Sequence, residues 1–289
     1  MTDPFPRRAI ARELSRVVNA PVGDVLAEIG DASTASARRI GITGPPGGGK
    51  STLISALAAH RLEKNRDRTV AVLAIDPTSP LSGGSILGDR IRMDAIADLP
   101  RLFIRSVPSR GARNGLCDNV VDLMTTLERH RFEEILLETV GIGQAEIDVR
   151  ELVDTVVLVV PPDAGDSVQA MKAGIIEIAD IFVVTKSENP AARQMAAEIR
   201  GIVGARKSAS PPAVVMTAAN GSGIAELSDA IDAHHHARDN GDTAERRRHY
   251  HLKALIGREI DAVLSGNGEM ARGDLRSSYN RLLQHLRRY

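Results

Sequence analysis

The stretch ITGPPGGGKSTL, residues 42–53, decides how the rest of this chain is read. Gly44, Gly49, Lys50 and Ser51 fit the spacing G-x-x-x-x-G-K-[ST], between a strand-like run, RRIGIT (38–43), and a helical pattern from Lys50 to about Glu63. Each part of that spacing has a chemical reason. The glycines let the backbone curl so that its N–H groups face a β-phosphate, and the helix N-terminus adds its dipole. A lysine placed as Lys50 is reaches the β- and γ-phosphates, and a hydroxyl placed as that of Ser51 ligates Mg²⁺. Gly44, Pro45, Pro46, Gly47, Gly48, Gly49, Lys50, Ser51 and Thr52 therefore form the candidate nucleotide-binding loop. The bland alternative is a Gly/Pro turn that happens to precede Lys-Ser, and the strand–loop–helix context argues against it.

Outward from that loop, short Val/Ile/Leu runs alternate with helical patterns. TVAVLAI (69–75), RLFIRS (101–106), FEEILLE (132–138), DTVVLVV (154–160), DIFVVT (180–185) and AVVMT (213–217) read as strands. Helices are expected near 90–98, 116–130, 144–152, 167–179, 190–204 and 224–237. This alternation predicts an α/β fold of the P-loop NTPase type, a mostly parallel central sheet with helices on both faces. A short amphipathic helix over 7–18 and a Pro/Gly/Asp/Ser-containing lead-in to about 37 precede it. Two Arg-rich helices, 243–264 and 272–288, follow it. The expected division is an N-terminal helical lead-in (1–37), a nucleotide-binding domain (38–240) and a C-terminal helical arm (241–289).

Composition narrows the class. Aromatic residues are 2% of the 289 and Trp is absent, so the core must be built from Ala, Val, Ile and Leu. Lys plus Arg equals Asp plus Glu, 37 each, so net charge points to neither nucleic acid nor an anionic membrane. The single cysteine, Cys117, cannot form an internal disulfide and suits a reducing compartment. No apolar run approaches the ~18 residues of a membrane span, and the start, MTDPFPRRAIARELSRVV, lacks the apolar core of a signal peptide. A cytoplasmic protein with no membrane or nucleic-acid partner is expected.

Further acids sit where a phosphate site needs them. FEEILLETVG ends a strand with Glu138 and places Gly141 three residues later. In most GTPases an Asp at the first position holds the Mg²⁺ water shell, and the Gly amide contacts the γ-phosphate. Asp76 ends TVAVLAI, and Asp89 lies in GGSILGDRIRM; each is a metal ligand or only a cap or turn residue. SPLSGGSILGDR and SVPSRGARNGL (106–116) read as switch loops. Arg110 in the second is either an internal arginine finger or a solvent-exposed loop arginine.

The base is read further along. Thr185, Lys186 and Glu188 match the guanine-reading pattern [NT]-K-x-[DE], with Thr for Asn and Glu for Asp. A carboxylate there accepts from the ring N–H and exocyclic amine of guanine, whereas adenine presents an acceptor that repels it. The Lys stem covers the ring face. Thr217 and Ala218 stand where a backbone amide backs up the contact to the guanine carbonyl.

Together these residues resemble the MeaB/ArgK/MMAA family of P-loop GTPases, which chaperone adenosylcobalamin-dependent methylmalonyl-CoA mutase. The resemblance is carried by GITGPPGGGKSTL, AIDPTSPLSGGSILGDRIRM, the SRG of 109–111 with NGL at 114–116, ETVGIGQAE (138–146) and PPDAGDSVQAMKAGIIEIADIFVVTKSE (161–188). It implies GTP and GDP as ligands and a Mg²⁺ site of Ser51, Asp76, Asp89 and Glu138. It also implies a homodimer formed through the C-terminal helices, and a third switch, 161–172, relaying nucleotide state to the mutase. The catalytic candidates are Lys50, Glu138, Gln144 and Arg110. Ile142, not Gln, follows Gly141, and an apolar side chain cannot orient water, so slow intrinsic hydrolysis is expected. Two other readings stay open. One is a metallochaperone GTPase for nickel or cobalt, suggested by His234, His235 and His236, although a triple His at a helix end is more often solvated. The other is a P-loop small-molecule kinase.

Overall fold

The chain is described from a computed structural model, over residues 5–29, 37–76, 93–109, 116–139, 144–163, 176–205, 211–237, 240–266, 272 and 274–286. Its centre is β1 (Arg38–Thr43), whose last five residues are all buried. Such unbroken burial is what a strand covered on both faces requires. Around it run β2 (Val70–Asp76), β3 (Leu102–Pro108), β4 (Glu134–Glu138), β5 (Thr155–Val160), β6 (Ile181–Val184) and β7 (Ala213–Met216), in the order β3-β2-β4-β1-β5-β6-β7. Every pairing among them is parallel.

Parallel pairing brings all the carboxyl ends to one edge. Ile42 lies opposite Glu138, Thr43 opposite Leu158, and Asp76 opposite Pro108. Ligands in open α/β sheets bind at this edge, beside the point where the strand order reverses.

Two apolar layers cover the sheet. On one face Leu53, Ile54 and Leu57 of α3 (Lys50–Lys64), with Leu227 and Ile231 of α9 (Ile224–Ala237), pack on Ile40, Ile42, Val72 and Leu136. On the other face α1 (Arg7–Val17), α5 (Val120–Arg129) and α6 (Gln144–Leu152) pack on Leu73, Ile135 and Leu137. Leu136 and its neighbours Ile135 and Leu137 thus face opposite layers, as strand alternation dictates. Met195, Ala196 and Ile199 of α8 (Ala191–Gly204) form a third cluster with Phe182 and Val184. Gly41 is what lets α6 approach β1, since a Cβ there would stand 2.6 Å from Val149 Cγ2.

The described elements depart from the sequence reading in several places. Within the lead-in, α2 (Val22–Ile29) is a helix whose Val25 is buried; its apolar residues fall at 22, 25, 26 and 29, a helical spacing hidden by the neighbouring Gly and Asp. Of the helix expected at 90–98, the described part is one turn, α4 (Asp94–Ala97), and the one near 116–130 starts only at Val120. Of the 167–179 helix, α7 (Ile176–Ile178) is described and residues 164–175 lie outside the described residues.

The long C-terminal helix α10 (Asn240–Gly266) lies against the core and is joined to it by polar contacts. Arg247 pairs with Asp154 at 2.6 Å; Asp122 on α5 takes both His251 at 2.7 Å and Arg258 at 2.9 Å. Arg258 also donates to the Ala20 carbonyl at 2.6 Å, tying α10 to the turn between α1 and α2. The outer face of α10 shows Leu252, Ile256 and Leu264, and α11 (Leu275–Leu286) shows Leu275 and Tyr279, all exposed.

Candidate nucleotide site

The loop that leaves β1 is shaped by its glycines. Gly44 has φ +142°, and a Cβ there would collide with the Val159 carbonyl of β5. Gly49 caps α3 in the left-handed region at φ +90°. The chain can therefore turn from strand to helix within six residues, leaving the first-turn N–H groups of α3 facing the loop.

Lys50 opens α3 and is buried, with Nζ donating to the Gly44 carbonyl at 2.9 Å and the Pro45 carbonyl at 3.2 Å. An ammonium held by loop carbonyls can exchange them for phosphate oxygens, which bind it more strongly because they are charged. Next to it, the Ser51 hydroxyl donates to Glu138 Oε1 at 2.8 Å, joining the first turn of α3 to the end of β4. Asp76, 1% exposed, ends β2, the strand beside β4. A hydroxyl and two carboxylates at one sheet edge are a hard, all-oxygen donor set, which fits Mg²⁺. Below them Thr139 Oγ1 donates to Thr43 Oγ1 at 2.8 Å, and the Thr139 N–H to the Ile42 carbonyl at 3.2 Å, fixing the strand end that carries Glu138.

Beside the loop lies a cavity of about 270 Å³. Gly49, Thr52, Lys186, Glu188, Thr217 and Ala218 are among its lining residues. It therefore joins the first turn of α3 to the segments after β6 and β7, as a nucleotide with its phosphates on one and its base on the other requires. Thr185 makes the junction: it is buried, and its hydroxyl donates to the Gly48 carbonyl at 2.7 Å. Lys186 has φ +53°, and the Ser187 N–H donates to the Thr217 carbonyl at 3.0 Å, so the turn after β6 is held by the end of β7. Glu188 is exposed on the cavity wall and makes no hydrogen bond or ion pair among the described residues. The Ala218 N–H donates to the Ser222 carbonyl at 3.1 Å, so it must leave that bond to meet a base carbonyl.

The structure thus brings together Gly44 to Thr52, Asp76, Glu138, Thr185, Lys186, Glu188, Thr217 and Ala218 at one sheet edge. Asp89, Arg110 and Gly141 lie outside the described residues, and Gln144 is placed only by its backbone, as the first residue of α6. Asp163, which sequence reasoning placed only within the 161–172 switch segment, accepts from Lys186 Nζ at 3.3 Å and Asn189 Nδ2 at 3.0 Å. Its signal was not available from spacing, because the contact joins turns 23 residues apart.

Other titratable candidates have local explanations. Burial, then the nearby Asp118 charge, pushes the Cys117 thiol up to about 12, which leaves it inert as a nucleophile. The expectation that the three histidines are solvated does not hold for His234: it is partly buried, with Nδ1 3.0 Å from Thr155 Oγ1 and Nε2 3.3 Å from Asp180. His236 bonds the Asp232 carbonyl through Nδ1 at 2.6 Å. The His235 ring stands edge-on to that of His236, 6.1 Å between centroids, and among the described residues no group of three or more His, Cys, Asp or Glu could hold a metal ion.

The family described as "Methylmalonyl Co-A mutase-associated GTPase MeaB" matches residues 16–268, nearly the whole chain. The chain belongs to the MeaB family. It is therefore a P-loop GTPase, and the nucleotide geometry above is that of a MeaB-family member. A relative from Pyrococcus abyssi (strain GE5 / Orsay) is 36% identical over 288 residues, 96% of this chain and 88% of that one. A "Probable GTPase" of Mycobacterium tuberculosis (strain ATCC 25618 / H37Rv) is 44% identical over 206 residues, 69% of this chain and 61% of that one. The mouse "Methylmalonic aciduria type A homolog, mitochondrial" is 36% identical over 221 residues, 74% of this chain and 53% of that one. Among solved structures, the LAO/AO transport system kinase gives a TM-score of 0.59 at 21% identity, over 98% of this chain and 99% of that one, which shows the fold. No helix among the described residues is long and apolar enough to cross a membrane.

Proposed function

We propose that this MeaB-family chain is a slow GTP switch in the cytoplasm that gates cofactor loading or protection of an adenosylcobalamin-dependent acyl-CoA mutase. The observation that carries the nucleotide part is the cavity with Glu188 on its wall, joined to the phosphate loop by the Thr185–Gly48 bond. The mutase part is supported by the family description and by the methylmalonic aciduria relative.

In this reading Lys50 moves from the Gly44 and Pro45 carbonyls to the β- and γ-phosphates as GTP enters. Ser51, Asp76 and Glu138, with Asp89 from the switch loop, would hold Mg²⁺, which would neutralise phosphate charge. Gly141 contacts the γ-phosphate, and Arg110 or Gln144 supplies what the switch lacks at Ile142. With no group fixed to orient water at that position, water attack on the γ-phosphorus is slow until a partner reorders the switches. In sequence the second switch precedes α5 and the segment carrying Gly141 precedes α6, and α10 is bonded to both helices, a route by which the C-terminal arm would sense the nucleotide. The exposed apolar residues of α10 and α11 are the surface through which two copies of the arm would pair into a homodimer. The 161–172 segment would carry nucleotide state to the mutase.

Purified protein should turn over GTP well below about once per second, as G proteins without an activating group do. Adding an adenosylcobalamin-dependent acyl-CoA mutase should raise that rate at least about tenfold, within the range activating partners reach. Many turnovers per second without any partner would sink the gating idea. Glu188→Gln leaves one uncharged acceptor oxygen where guanine presents two donors, and should weaken GDP binding by about 10- to 100-fold, one charge-assisted hydrogen bond. ADP binding should stay weak in both proteins, as read by titration calorimetry. Equal GDP and ADP binding by the unmodified chain would instead favour the kinase reading.

A further inference from the structure

The contact between Asp163 and the turn after β6 has a role of its own. Lys186 lines the cavity and Asp163 does not. The Asp163 carboxylate holds Lys186 Nζ through Oδ2 at 3.3 Å and Asn189 Nδ2 through Oδ1 at 3.0 Å. The ammonium is thus held by a residue outside the cavity lining, an arrangement that would leave the methylene stem to do the contacting.

We propose that Asp163 is a positioning residue for nucleotide recognition, holding the Lys186 stem where it covers the ring face of a bound purine. The inference rests on the cavity being the base site. The backbone of the reader turn is already fixed, by Ser187 N–H to the Thr217 carbonyl at 3.0 Å and Asn189 N–H to the Lys186 carbonyl at 2.8 Å. What remains free is the four-carbon stem, whose ordering costs entropy when it closes on a ligand. A tether at the ammonium meets part of that cost before binding, which is how preorganisation raises affinity. Asn189, gripped by the other oxygen, keeps the carboxylate oriented toward the turn. Asp163 and Lys186 are 62% and 45% exposed, so the effect is expected to be modest.

The test is a double-mutant cycle read by titration calorimetry with GDP and inosine diphosphate, which lacks the amine that Glu188 grips. Asp163→Ala should weaken both nucleotides by about three- to fivefold, the range of an exposed charge pair. It should leave their ratio unchanged, because stacking does not sense the amine. Lys186→Met keeps a stem but loses the tether, and the double variant should bind no more weakly than Lys186→Met alone. Higher salt should narrow the gap between wild type and Asp163→Ala. Unchanged GDP binding in Asp163→Ala, or effects that simply multiply in the double variant, would overturn the proposal. Failure of the base-site reading shows separately, as a Glu188→Gln protein whose GDP affinity equals that of wild type. All the substituted side chains are exposed, and unchanged melting temperatures would show that the fold is not what is being measured.

Discussion

Lys50→Ala should lower GTP turnover by about 100- to 1,000-fold, the loss seen when one preorganised donor to developing charge is removed. The lysine is placed for that role by structure on three sides. Gly44 and Gly49 allow the tight loop, α3 begins at Lys50 itself, and the loop carbonyls of Gly44 and Pro45 hold the ammonium at the point where phosphate oxygens would replace them. Charge at this spot acts in a site largely closed to water, since Lys50 and Ser51 are both buried. Single-turnover hydrolysis of GTP, measured alongside GDP affinity, checks the prediction. GDP binding should weaken far less than the rate falls, because the γ-phosphate contact is missing from the diphosphate. A variant within threefold of the wild-type rate would show that Lys50 does not meet the transferring phosphoryl group.

Arg61→Ala should destabilise the fold by about 3–5 kcal/mol, because removing one partner of a buried pair leaves Glu134 with only its longer contacts to Arg38 and Arg68, at 3.5 and 3.4 Å. Arg61, fully buried near the C-terminal end of α3, donates to both oxygens of Glu134 at 2.6 and 2.5 Å. It also reaches the Ser228 hydroxyl at 3.0 Å and Asp232 at 2.8 Å on α9. One guanidinium thereby joins the helix that carries the phosphate loop to β4 and to α9. Burial works against its charge, yet Glu134 and Asp232 more than offset it and raise its pKa. In a domain of this size that loss corresponds to a melting temperature lower by roughly 10 °C. Replacing Arg61 with Met and Glu134 with Leu together should recover much of it, since both members of the fully buried pair are then apolar and Asp232 keeps Arg38 at 2.5 Å. If Arg61→Ala melts within a degree or two of wild type, the network is incidental.

The same network sets an acid limit. Burial alone would raise the Asp232 carboxyl, but hydrogen bonds and charge from Arg61 and then Arg38 bring it from 3.8 down to about 2. A carboxyl with a depressed folded pKa stabilises above its unfolded value and loses that contribution as pH falls toward the folded one. The Asp232 contribution should therefore be complete above pH 3.8 and disappear between 3.8 and about 2, a window that Arg61→Ala should narrow, with Arg38 still holding the carboxylate.

The phosphate loop and the parallel sheet were legible in the sequence because each rests on local chemistry. Gly44 and Gly49 are required by their own backbone angles, and a strand buried along its whole length such as β5 is apolar at every position after Thr155. Chain order then brings Asp76, Glu138, Thr185 and Thr217 to the same edge, since in a parallel sheet every carboxyl end points one way. Contacts between distant segments were decided only by tertiary packing. Ser51 meets Glu138 across 87 residues, Thr185 meets Gly48 across 137, and Arg61 meets Asp232 across 171. None of these has a spacing signal, because each depends on which strands become neighbours. The arm is the clearest case: as sequence it is an Arg-rich helix, and only the folded chain shows Arg247, His251 and Arg258 spent on Asp154 and Asp122. The sequence by itself determined the strand–loop–helix unit around Lys50 and the alternation that builds the parallel sheet, because both rest on local geometry. Tertiary structure decided how that unit is joined to the rest of the molecule, because buried charges far apart in sequence are compensated only by the partners that folding brings to them.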